Sequence, residues 1–104
     1  MLVTGASDEV ASRLLDVAGL DFAPVQDRDY EARIAVVSPP SGPLEREKIA
    51  ASVRLDAIMN APGRFNVVSR GSADATAAII RFLAKAHAVT GQFLAAAQRE
   101  RPNL

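Results

Sequence analysis

Hydrophobic positions along the chain alternate between short continuous runs and longer stretches with helical spacing. The runs are Leu2-Val3-Thr4, Arg33-Ile34-Ala35-Val36-Val37-Ser38 and Arg64-Phe65-Asn66-Val67-Val68-Ser69. Each is rich in β-branched residues and is followed by a helix-length segment. That alternation predicts an α/β fold, with strands side by side in a mainly parallel sheet and helices packed on it.

The helical segments differ in quality. Between Asp8 and Ala18, the residues Val10, Ala11, Leu14, Leu15, Val17 and Ala18 share one face, and Glu9, Ser12, Arg13 and Asp16 share the other. Gly19 then stands where a left-handed residue closes a helix. A second helix is predicted from Pro43, whose fixed φ suits the first helical position, to the stop signal Asn60-Ala61-Pro62-Gly63. On its helical wheel Leu44, Ala51, Leu55, Ile58 and Met59 form the expected core face. Ile49 and Val53 fall on the opposite side, either under another element of the chain or at an interface. Between Gly19 and Arg33, the residues Leu20, Phe22 and Val25 suggest a short strand that Pro24 confines to an edge. The connection to the next strand is too short for a usual parallel crossover, so an antiparallel edge hairpin or plain coil is expected.

From Ala73 to Arg99 the spacing predicts one long C-terminal helix, or two joined near Gly91. Arg81, Lys85, Gln92 and Arg99 line a narrow polar face, and Ile79, Ile80, Phe82, Leu83, Ala86, Val89, Phe93, Leu94 and Ala97 form a wide apolar band. Such a band reaches roughly 30 Å, longer than the about 17–20 Å of a short strand, so its second half would overhang the sheet. Val89, Phe93, Leu94 and Ala97, with Ile49 and Val53, are therefore the expected interface residues. The alternative is that Gly91 turns the chain back onto its own domain.

Length and composition change this picture little. The 104 residues, 49% hydrophobic and 23% charged, fit one α/β domain over 1–104 whose thin core leaves room for a partner to supply the rest. No cysteine, no leader-like segment and no long uncharged stretch point to a cytoplasmic protein without membrane attachment. Residues 1–56 carry ten acids and six bases, net −4, and residues 57–104 carry two acids and six bases, net +4. The balance lacks the basic excess of nucleic-acid binders, while the split invites an acidic partner or a second copy. One histidine and no cysteine offer nothing for a metal site, and His87 reads as a packed or boundary side chain. Tyr30, among Asp27, Arg28, Asp29 and Glu31, reads as an exposed loop residue. Walker loops, nucleophile elbows and paired-carboxylate motifs are all missing, so no cofactor and no catalytic residue is assigned.

One internal regularity bears on chemistry. The strand ends share the pattern Val3-Thr4-x-x-Ser7, Val37-Ser38-x-x-Ser41 and Val68-Ser69-x-x-Ser72. In a parallel sheet these ends converge on the edge where open α/β folds place ligands. The candidate site there comprises Thr4, Gly5, Ser7, Ser38, Ser41, Ser69, Arg70, Gly71 and Ser72, with Gly42 beside them, and helix N-termini would favour a small anion such as phosphate. Against that, Ser7 and Ser72 are also good N-caps, and Asp8, Glu9 and Asp74 already place carboxylates at those ends.

Leu2-Val3-Thr4-Gly5-Ala6-Ser7, followed by Val10 and Leu14-Leu15, resembles the opening strand and phosphate turn of atypical short-chain dehydrogenases, the NmrA-like group. Val37-Ser38-Pro39-Pro40 and Phe65-Asn66-Val67-Val68-Ser69 are similar to later strand ends of that group. The resemblance covers about a third of the chain and implies the N-terminal half of a Rossmann fold. Where that group has glycines near the cofactor pyrophosphate, this chain holds Asp8 and Ala11, which oppose dinucleotide binding. A substrate half and a catalytic tyrosine-lysine pair are missing as well. The expected architecture is thus a small open, mainly parallel sheet of three to four strands, Rossmann-like, with a long C-terminal helix. The expected role is a non-enzymatic module that self-associates or docks on a partner through that helix. The alternative is a module binding a nucleotide or other phosphate compound at the serine-rich edge.

Overall fold

The protein is described by a computed structural model covering residues 1–22 and 30–98. The elements follow the alternation in the sequence: β1 (Leu2–Thr4), α1 (Asp8–Ser12), β2 (Asp21–Phe22), β3 (Ala32–Val37), α2 (Pro43–Asn60), β4 (Arg64–Ser69), α3 (Ala73–Lys85) and β5 (Phe93–Ala95). All five strands run parallel, in the order β2-β1-β3-β4-β5. This is a doubly wound, Rossmann-like arrangement whose strand order reverses between β1 and β3.

Register fixes which residues share a face. Val3 sits beside Ile34, Ile34 beside Asn66, and Val36 beside Val68. Val3, Ile34, Val36 and Val68 form the main core with Val10 and Leu14 of the α1 segment and Ala77, Ile80 and Leu83 of α3. Ion pairs from Arg13 to Asp74 and from Arg81 to Asp16 (2.8 Å) tie the α1 segment to α3 at the surface. The guanidinium of Arg81 holds the Asp16 carboxyl below its ordinary pKa. Val37, Phe65 and Val67 point to the opposite face and meet Ile49 and Val53 of α2.

The crossovers β3→β4 and β4→β5 step in the same direction along the sheet, yet their helices lie on opposite faces. They therefore have opposite hands, although parallel crossovers are right-handed in nearly all folds. As a result α2 is the one helix on its face among the described residues, while α1 and α3 share the other.

Several expectations need correction. The C-terminal helix does not extend over 73–99. It stops at Lys85, the chain turns, and Phe93 and Leu94 enter β5 beside Val67 and Val68. Gly91, at φ 74°, supplies the left-handed residue of that turn, and Arg64 Nη1 donates to the end of α3 at Leu83 O (3.1 Å) and Ala86 O (3.0 Å). Arg99 lies outside the described residues. The sheet gains β5 and so has five strands, and the short edge strand suggested near Phe22 is β2, parallel to β1 where an antiparallel hairpin or coil was expected. Val25 and Pro24 fall outside the described residues. The regular part of α1 is shorter than 8–18. Its continuation is a series of turns closed by Gly19 at φ 78°, which buries Leu14 but leaves Leu15 exposed. His87 is exposed in the turn after α3 instead of packed, and Tyr30 is half-buried with its hydroxyl donating to Asp21.

The largest correction concerns α2. Its bounds match the stop and start signals, but its faces are reversed. Val53 is 2% exposed and Ala57 is buried, with Ile49 half-buried beside them on the sheet. Leu44, Ala51, Leu55, Ile58 and Met59, the expected core face, point to solvent. Both faces are apolar, so spacing alone could not choose between them.

Candidate functional site

The carboxyl edge of the sheet does bring several predicted residues together. Thr4 and Gly5 leave β1, Ser38 follows β3, and Ser69 to Ser72 leave β4. Gly5, at φ 81°, turns against β3 so closely that a Cβ there would clash with the carbonyl oxygen of Val36. Gly71 is confined in the same way by the carbonyl oxygens of Ala96 and Ala97. These two glycines seal the edge and bring backbone to backbone.

Most hydroxyls at this edge already have partners within the chain. Ser7 caps α1 by accepting from Val10 N (3.2 Å), and Ser72 caps α3 by accepting from Ala75 N (3.1 Å). Thr4 donates to Ile34 O at 3.4 Å. Ser38 accepts from Arg70 Nη2 at 3.0 Å, a contact that joins the ends of β3 and β4. Ser41 stands apart, over the start of α2, where it donates to Glu45 at 2.7 Å. Ser69 is buried in β4. Asp8, Glu9 and Asp74 occupy the first turns of α1 and α3. The arrangement builds a well-tied edge on which Arg70 is turned to a serine and Arg13 to Asp74, with carboxylates beside the helix starts.

Residues 6–96 match the family described as short chain dehydrogenase-like protein (SDR-like). The chain belongs to that family. No curated protein matches it, and neither does any solved structure. The SDR-like match agrees with the doubly wound sheet and with the likeness carried by the later strand ends. It begins after Gly5, so β1 and its tight turn precede the matched residues.

The predicted interface residues are scattered by the SDR-like fold. Ile49 and Val53 lie beneath α2, Phe93 and Leu94 are half-buried in β5, Val89 packs half-buried against the core, and Ala97 is exposed at the carboxyl edge. They form no common surface. What the sequence reading assigned to the core, by contrast, makes an apolar stripe along the outside of α2, interrupted between Leu44 and Ala51 by Lys48. Leu44 is 67% exposed, Leu55 58%, Ile58 72% and Met59 75%, with Ala51 exposed among them. Apolar grooves of about 300 Å³ and 380 Å³ flank the helix, one lined by Val37, Ile49, Val53 and Phe65, the other by Ala57, Ile58, Ala61 and Gly91. The signal for this surface was present in the sequence as the second apolar face of α2. Among the described residues no group of acidic, histidine or cysteine side chains is placed to hold a metal, and no helix is long and apolar enough to cross a membrane.

Proposed function

We propose that this SDR-like domain is a non-enzymatic interaction module whose docking surface is the outward face of α2. The observation that carries this reading is the stripe Leu44, Ala51, Leu55, Ile58 and Met59. Four large apolar side chains on one helix face, each more than half exposed, are unusual on a surface with no binding role. The parallel sheet serves as the rigid support that holds the helix outward. The cysteine-free sequence fits a reducing compartment, and we take the cytoplasm as its place of work.

A docking face tolerates charge without loss of fold, whereas a core face does not. Leu55→Glu with Ile58→Glu is expected to keep the circular dichroism spectrum of the wild type and to melt within a few degrees of it, as surface substitutions usually do. Unfolding of this variant would return the stripe to the core and end the proposal.

A second reading is favoured by Gly5 at the point where strand order reverses, the usual ligand position of such sheets, and by Arg70, which reaches Ser38 at the end of β3 from neighbouring β4. In it the domain binds a nucleotide or other phosphate compound there. At least one member of a nucleotide and sugar-phosphate panel should then raise the melting temperature, and Arg70→Ala should abolish that rise. A flat response at millimolar concentrations would dismiss this reading.

A further inference from the structure

We infer that the partner of the α2 surface is a second copy of this chain, with the two α2 helices packed antiparallel about a two-fold axis. The inference rests on the outward face of α2 being the docking surface. That face follows a seven-residue repeat, with Leu44, Ala51 and Ile58 at one position and Lys48 and Leu55 interleaved between them. Glu47 and Arg54, also seven apart, run along one flank of the stripe. Both are exposed, and neither has a hydrogen bond or ion pair within the described chain.

Self-complementarity selects the orientation. In an antiparallel two-fold pair, like flanks meet, and every contact occurs twice. Setting Leu44 against Leu55 of the partner subunit places Lys48 over Ala51 of the partner subunit. The small alanine leaves space for the lysine stem while its ammonium reaches water. The same register brings Glu47 to Arg54 of the partner subunit, so both flank charges find opposite charges at once. A parallel pair would set Glu47 against Ser52 of the partner subunit and Arg54 against Met59 of the partner subunit, and neither charge would be matched. Because α2 is the one described helix on its face of the sheet, no neighbouring helix of its own domain stands in the way. In this register residues 43–56 of the two α2 helices overlap, which at about 1.5 Å per residue gives a seam of roughly 20 Å.

The test measures the mass of the full chain in solution by light scattering across the micromolar range. The wild type is expected at twice 11.0 kDa, and Leu55→Glu with Ile58→Glu at the single-chain mass. Glu47→Arg and Arg54→Glu should each weaken self-association roughly fivefold to tenfold, since each turns two attractive pairs into two repulsive ones. The double variant Glu47→Arg, Arg54→Glu should recover the wild-type affinity. Mixing the two single variants should give a heterodimer, because one then presents two arginines and the other two glutamates. A wild type that stays at 11.0 kDa, with a folded Leu55→Glu, Ile58→Glu variant, would overturn the second copy while leaving the face for a different protein. Unfolding of that variant would remove the docking surface itself. A dimer indifferent to the charge exchanges would overturn this pairing.

Discussion

Gly5 and Gly19 have nearly the same left-handed backbone, at φ 81° and 78°, yet they stand in opposite surroundings. Around Gly19 an added methyl meets open space, whereas at Gly5 it runs into the backbone of Val36. Gly19→Ala should therefore cost about 1 kcal/mol, the strain of a left-handed L-residue alone. Gly5→Ala adds a clash with a strand that cannot move aside, and a loss of about 3 kcal/mol or more is expected. Urea denaturation of the two variants separates these contributions, and equal losses would contradict the close approach of β1 and β3. At this scale the sequence was informative about caps. Ser7 and Ser72 do what serine does most often before a helix, accepting from the first-turn amides. What single residues could not disclose was the pairing of Arg70 with Ser38, which depends on two strands being neighbours.

The end of α3 illustrates how elements are decided from a distance. Alanines and spaced apolar residues favour a helix well beyond Lys85, and nothing local after it forces a stop before Gly91. The stop is imposed by β4. Asn66, buried in that strand, donates to Val89 O (3.1 Å) and accepts from Gln92 N (3.0 Å), Thr90 accepts from Phe65 N (3.1 Å), and Gly91 N donates to Phe65 O (2.8 Å). Together these bonds fasten the turn that feeds β5. Asn66→Ala should cost about 1–2 kcal/mol, because two part-buried backbone groups, Val89 O and Gln92 N, lose their partner. Hydrogen exchange of the Ala96 amide, bonded to Ser69 O, should accelerate with it. Unchanged exchange there would show that β5 does not depend on this turn. For α2, start and stop were legible in Pro43 and Asn60 because both act locally. Its orientation was not, since Ile49-Val53-Ala57 and Leu44-Leu55-Ile58 are alternative apolar faces and only the sheet distinguishes them.

At the scale of the whole molecule, the parallel α/β class was legible because each strand is buried enough to read as a β-branched run. β5, Phe93-Leu94-Ala95, holds no β-branched residue and so reads as part of the helical spacing before it, and β2 is only two residues long. Parallel strands bring Thr4, Ser38 and Ser69 to Ser72 to one end of the sheet, with Ser41 apart over α2, and the hydroxyls there are largely engaged in holding that edge together. Strand order has one more consequence, for the time course of folding. β1 precedes the other described strands in the chain but lies inside the sheet, between β2 and β3. Its longer ladder, Leu2 to Thr4 against Arg33 to Ala35, spans some thirty residues of chain, whereas β3, α2 and β4 form a contiguous stretch joined by six paired positions. A nascent chain emerging from the ribosome therefore holds β1 without that neighbour until residue 35 is free, and closing the sheet around β1 is a long-range event with a correspondingly larger loop entropy.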